Sequence, residues 1–113
     1  MLEYLKVFQK SFDFLLWLKP TVQRFAKVHK YSLGIQLENE SLQFLRQIAR
    51  ANLKKGDKSE LINECFVSFE TIKILIRLSR EYKLLTVKQY QHAIGMLLEI
   101  GKLLGGWSKK FTI

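Results

Sequence analysis

The sequence predicts an all-α protein, an up-and-down antiparallel four-helix bundle, and three observations carry that expectation. Apolar residues recur every three or four positions along four long stretches, the period of an amphipathic helix. Cap and turn residues separate those stretches by only a few positions, so consecutive helices must fold back on each other. One proline and six glycines interrupt 113 residues, and no run shows the alternation of a strand. Hydrophobic residues make up 48% of the chain. That is enough for one core in a single domain over residues 1–113, since a domain commonly takes about 100–150 residues.

The first helix is expected over Leu2 to Lys27, with Phe8, Phe12, Leu15, Leu18, Val22 and Phe25 as its inward stripe. Pro20 lacks an N–H and should kink or break it. The second starts after Ser32 as N-cap, carries Leu37, Phe44, Leu45 and Ile48, and runs to Lys55, where Gly56-Asp57 ends it. Asp57-x-x-Glu60 has the pattern of a capping box for the third helix, whose seam is Ile62, Cys65, Phe69, Ile72 and Ile76. Thr86-x-x-Gln89 is a second capping box and opens the fourth. Its seam is Tyr90, Ile94, Leu97, Leu98, Gly101 and Leu104, with Gly105-Gly106 as the expected stop.

Nineteen Lys and Arg against ten Asp and Glu give a net charge of +9. The balance attracts phosphate polymers, and its dispersal along the chain points to basic faces on folded helices and not to a basic tail. Three rows follow helical spacing. Arg46, Arg50 and Lys54 lie on the second helix, Lys73, Arg77 and Arg80 on the third, and Lys6, Lys10 and Arg24 share a side of the first with Asp13 and Trp17. Cations on rigid rods suit backbone phosphate, and Arg adds bidentate contacts. With no base-reading motif, recognition of a structured RNA by shape and charge is the expectation. Trp17 is expected either to stack on a base or to meet another subunit.

The chain carries more apolar surface than one bundle face needs. Ile72, Ile74, Leu75, Ile76 and Leu78 spread over more than half of the third helix, and Tyr4, Leu5, Val7, Phe8, Phe14, Leu16 and Trp17 point several ways from the first. Surplus of this kind marks an interface, so a homo-oligomer is expected. Gly95, Gly101 and Gly105 each weaken a helix interior, which fits close approach of another helix.

Several classes of chemistry are set aside. Cys65 is alone, so no disulfide framework or thiolate cluster forms. The longest apolar run is the five residues from Phe14 to Leu18, against the roughly 20 that span a bilayer. With no leader-like start, the chain reads as cytoplasmic, with no membrane partner. No cofactor motif, metal-ligand spacing or nucleophile arrangement occurs, so no enzyme activity, cofactor or metal is expected. One pattern, Arg24-x-x-x-x-His29, resembles the active motif of the HEPN ribonucleases, in which Arg and His flank a scissile phosphate. It departs from that family in lying at the end of the first helix and in having Phe25 after the Arg.

Read end to end, the chain resembles the accessory variability determinant (Avd) proteins of diversity-generating retroelements. The resemblance rests on Phe8-Gln9-Lys10, Trp17-Leu18-Lys19-Pro20, Lys30-Tyr31-Ser32-Leu33-Gly34 and Gln36-x-Glu38-Asn39. It continues through Lys73-Ile74-Leu75-Ile76-Arg77-Leu78 and Leu85-Thr86-Val87-Lys88-Gln89-Tyr90 to the run from Glu99 to Trp107, which closes on Leu104-Gly105-Gly106-Trp107. The same fold group includes the proteins encoded in intervening sequences of ribosomal RNA genes, the alternative kept open at this point. The retroelement resemblance implies a four-helix bundle assembled as a homopentameric barrel. It also implies association with the element's reverse transcriptase, its template RNA and the complementary DNA, without catalysis by the chain itself. It places family cationic positions on Lys73 and Arg77; the other rows come from periodicity.

Overall fold

The structure, a computed structural model, describes the backbone of residues 2–111 and the side chains from Tyr4 onward. It contains four long helices and, among the described residues, no strand. We label them α1 (Leu2–Gln23), α2 (residues 27–53), α3 (Ser59–Glu81) and α4 (Val87–Ser108). The molecule measures 45 × 23 × 20 Å, a rod as expected from aligned helices of 22 and 23 residues. Packing runs in a ring, α1 on α2, α2 on α3, α3 on α4 and α4 on α1, with α3 and α4 meeting most sparsely. Opposed residues give the antiparallel register. Lys19 meets Glu38, Phe44 meets Phe69, Phe69 meets Gly101, and Lys10 meets Glu99.

The α1 core face is rotated from the sequence expectation. Val7, Ser11, Phe14, Leu18 and Val22 are buried, whereas Phe12 is exposed and Phe8 and Leu15 are half-buried. Ser11 hides the pattern. Its hydroxyl donates to the Val7 carbonyl at 2.7 Å, so a polar residue sits in the core at little cost. α1 ends at Gln23, one turn after Pro20 and short of Lys27.

α2 begins six residues earlier than expected. Ala26 is its N-cap, and an α-helical turn, Lys27–His29, leads through a π-helical turn, Lys30–Gly34, into the α-helix Ile35–Leu53. Ser32 is therefore not a cap. Its hydroxyl donates backward to the carbonyls of Val28 at 3.2 Å and His29 at 3.4 Å. Gly34 explains why the turn tolerates α1 so close: a Cβ there would stand 2.7 Å from Val22 Cγ1.

At the α3 start, Lys58 holds the N-cap position and the Asp57–Glu60 box does not form. Asp57 instead accepts from the Ser59 hydroxyl at 2.6 Å and its N–H at 3.0 Å, and those two bonds hold its carboxyl below the ordinary range. The α4 box does form, with Thr86 Oγ1 accepting from Gln89 N–H at 3.0 Å and Gln89 Oε1 from Thr86 N–H at 2.9 Å. α4 runs through Gly105-Gly106 to Ser108, because Trp107 in the last turn is buried against Tyr4 and Phe111. Its inward seam is Ala93, Leu97, Ile100, Leu104 and Trp107, and Leu98 points out.

Of the α4 glycines, only Gly101 is approached within the protomer, and by a ring, Phe69, not by a helix backbone; Gly95 and Gly105 face open space. Two substitutions test this packing by chemical denaturation. Gly34→Ala is expected to cost about 1–3 kcal/mol through the clash with Val22. Thr86→Ala should cost about 1 kcal/mol by loss of the cap.

Candidate nucleic-acid interface

Cations of two neighbouring helices converge on the flanks of α4. From α1, Lys10 Nζ reaches Glu99 at 3.1 Å, and Lys6 precedes it by one turn on the same side. From α3, Lys73 lines a groove with Ile94, Leu97, Leu98, Gly101 and Lys102. The Arg80 guanidinium lies 4.7 Å over the Tyr90 ring, and Arg77 stands exposed between Lys73 and Arg80. Lys88 and Lys102 add the outer face of α4 itself. Five predicted residues, Lys6, Lys10, Lys73, Arg77 and Arg80, thus border one helix.

The α2 row lies apart. α2 is diagonal to α4, so Arg46 and Arg50 are exposed on the opposite side of the bundle. Arg50 also shares its grooves with carboxylates, Glu40 of α2 and Glu64 of α3 along their seam, and Asp57 and Glu60 at the α2–α3 connection. Those acids offset its charge toward a polyanion. Lys54 leaves the helical row altogether: it follows the last turn in extended conformation, and its Nζ donates to the Lys55 carbonyl at 3.1 Å.

The α3–α4 seam gives the basic side its shape. A groove of about 320 Å³ has an apolar floor of Phe69, Ile94, Leu97 and Leu98 and a rim of Lys73 and Lys102. Gly101 lets the Phe69 ring pack close against α4, since a Cβ would meet Cζ at 3.0 Å. Lys73 is held 3.2 Å from Glu70 and 5.4 Å from the Phe69 centroid. Exposed pairs of this kind contribute little, about 0–1 kcal/mol, so a phosphate can replace the carboxylate. Arg77 has no carboxylate within 4.0 Å among the described residues.

Lys88 and Lys102 escaped the periodicity argument because no i, i+4 partner accompanies them. Their signal was compositional, since residues 84–113 hold four lysines and one acid. Trp17 does not stand free: it is half-buried, 6.0 Å from Phe14 and 5.2 Å from His92, and ties α1 to α4. Arg24 and His29 fall on either side of the break at Ala26, and the His29 ring packs on Tyr82 at 5.2 Å. They do not share a helical face as a cleavage pair would require.

Among the described residues no cluster of His, Cys, Asp and Glu can hold a metal, and no helix is long and apolar enough to cross a membrane. A family model described as bAvd-like matches residues 5–111. No curated protein and no solved structure matches the chain.

Cys65 is buried in the α3 seam, and its loss of solvation, aided by Glu64, pushes the thiol up to about 12. It should therefore resist alkylation by iodoacetamide at pH 8 in the native protein and react fully once unfolded, as read by mass spectrometry.

Proposed function

The chain belongs to the bAvd-like family, and from that membership we propose that it is a non-catalytic accessory subunit of a diversity-generating retroelement. In this reading it binds the element's reverse transcriptase and its structured template RNA, and accompanies the complementary DNA during mutagenic reverse transcription and retrohoming. The observation that carries the reading is the gathering of Lys6, Lys10, Lys73, Arg77 and Arg80 around α4. A broad cationic face with rigid spacing suits a folded RNA, whose phosphates are read by position and not by base edge.

The assembly we propose is a homopentameric ring in the cytoplasm. A ring needs two different patches on each subunit, one meeting the other on the next copy. Two apolar patches are available on diagonally opposed helices. On α3, Val67, Ile74 and Leu78 share the outer face, and on α1, Phe12 and Leu16 do. Ile74 and Leu16 are each 60% exposed, far more than core residues of a monomer would be. The π turn and the basic α4 side lie outside both patches.

Two experiments test the reading. Lys73→Ala with Arg77→Ala should weaken binding of the template RNA and reduce the slope of log affinity against log salt by about 2. Helicity and assembly should not change, and unaltered affinity and slope would overturn the assignment. Ile74→Glu should lower the mass seen by sedimentation equilibrium while circular dichroism stays the same. A wild-type protein that sediments as a monomer would contradict the ring.

A further inference from the structure

The connections between α1 and α2 and between α3 and α4 lie at the same end of the bundle, and the His29 ring on Tyr82 joins them at 5.2 Å. By the helix register this end comprises residues 20–37 and 76–92. The first junction contributes Arg24, Lys27 and Lys30. The second contributes Arg77, Arg80, Lys83 and Lys88. Against these seven cations stands one carboxylate, Glu81, so the end holds +6 of the chain's +9. None of the seven has a carboxylate within 4.0 Å among the described residues.

Two aromatic rings lie among those charges. Tyr31 is 64% exposed and Tyr82 is 58% exposed, with Lys30 Nζ 5.8 Å from the Tyr31 centroid. Lys83 follows Tyr82 at the end of α3. Its φ is +60°, left-handed backbone that glycine adopts freely and a lysine adopts at a cost of about 1–2 kcal/mol. That left-handed residue closes α3, with the Leu84 N–H donating back across it to the Ser79 carbonyl at 2.8 Å, and it leaves the lysine on the junction surface.

We propose that this end of the bundle binds single-stranded nucleic acid, with unpaired bases stacked on Tyr31 and Tyr82 and phosphates held by the surrounding Lys and Arg. Exposed rings interleaved with cations fit an unpaired strand, because stacking needs a free base face that a duplex does not offer. An anionic membrane would also use the charge and can seat tyrosines among its headgroups, so vesicles form one arm of the test. The inference rests on the nucleic-acid reading above and extends it from the α4 side, with which this end shares Arg77 and Arg80, to the junction residues Lys27, Lys30, Tyr31, Tyr82 and Lys83, which helical charge rows do not reveal.

The test compares two labelled RNAs by fluorescence anisotropy. One is an oligouridylate about 10 nucleotides long, near the site size of a single binding domain, and the other is a blunt-ended duplex. Tyr31→Ala with Tyr82→Ala should weaken oligouridylate binding about 10-fold or more and leave duplex binding within about 3-fold. Tyr31→Phe with Tyr82→Phe keeps the rings, including the His29 contact, and should bind as wild type. If the alanine variant binds the oligouridylate normally while the duplex is still bound, this surface assignment fails and the proposed function survives. Should the wild-type protein bind neither RNA, both fail. Co-sedimentation with phosphatidylserine vesicles, lost on Lys27→Ala with Lys83→Ala, in the absence of oligouridylate binding would likewise overturn it in favour of a membrane.

Discussion

Closure of the ring of helices along the α1–α4 seam is the constraint on which the rest depends. The seam joins the first helix to the last, so no connection holds it and side chains must. Trp107 against Tyr4 fastens the lower end, Lys10 with Glu99 the middle, and Trp17 on His92 the upper end. The aromatic contacts contribute most, since stacked rings bury large apolar areas and the exposed ion pair adds little. Because these contacts fix the vertical register of α4 against α1, they also fix which cations face each other. A shift of one turn would separate Lys6 and Lys10 from the α4 lysines and open the basic side.

That register converts a dispersed charge into an asymmetric one. The sequence spreads its cations through all four helices, yet packing places those of α1 and α3 on the two flanks of α4 and leaves α2, diagonal to it, beside the carboxylates Glu40 and Glu64. The connections then load one end of the rod. Exposed apolar residues occur on all four helices, and those of α1 (Phe12, Leu16) and α3 (Val67, Ile74, Leu78) form two outer patches. These two patches lie apart from the basic flanks of α4, so under the proposed function a nucleic acid and further copies of the chain can be bound together.

Fold class and helix number were legible because long 3.6-residue periodicity dominates every other signal. The Thr86–Gln89 box formed as read, since both partners lie within one turn and need nothing from the rest of the protein. Errors arose where a local rule met tertiary packing. The glycine pair at 105 and 106 reads as a stop, but burial of Trp107 carries α4 through it. Ser32 reads as a cap, but Gly34 allows α1 to pack where a π turn keeps the helix continuous. Serine in the α1 core is polar by type and satisfied by its own helix, so a stripe read from hydrophobic residues alone comes out rotated. For the basic site, rows on α3 and α1 were legible as i, i+4 spacing. The diagonal position of α2 and the pairing of the two junctions were not, because both are properties of which helix lies beside which.

The central claim is that nucleic acid meets the α4 side and the junction end and not the outer face of α2. Photo-crosslinking of RNA containing 4-thiouridine, followed by peptide mass spectrometry, locates the contact without any substitution. Adducts are expected within residues 6–10, 24–31 and 73–102. Adducts concentrated on residues 39–50 of α2, around Arg46 and Arg50, would contradict it.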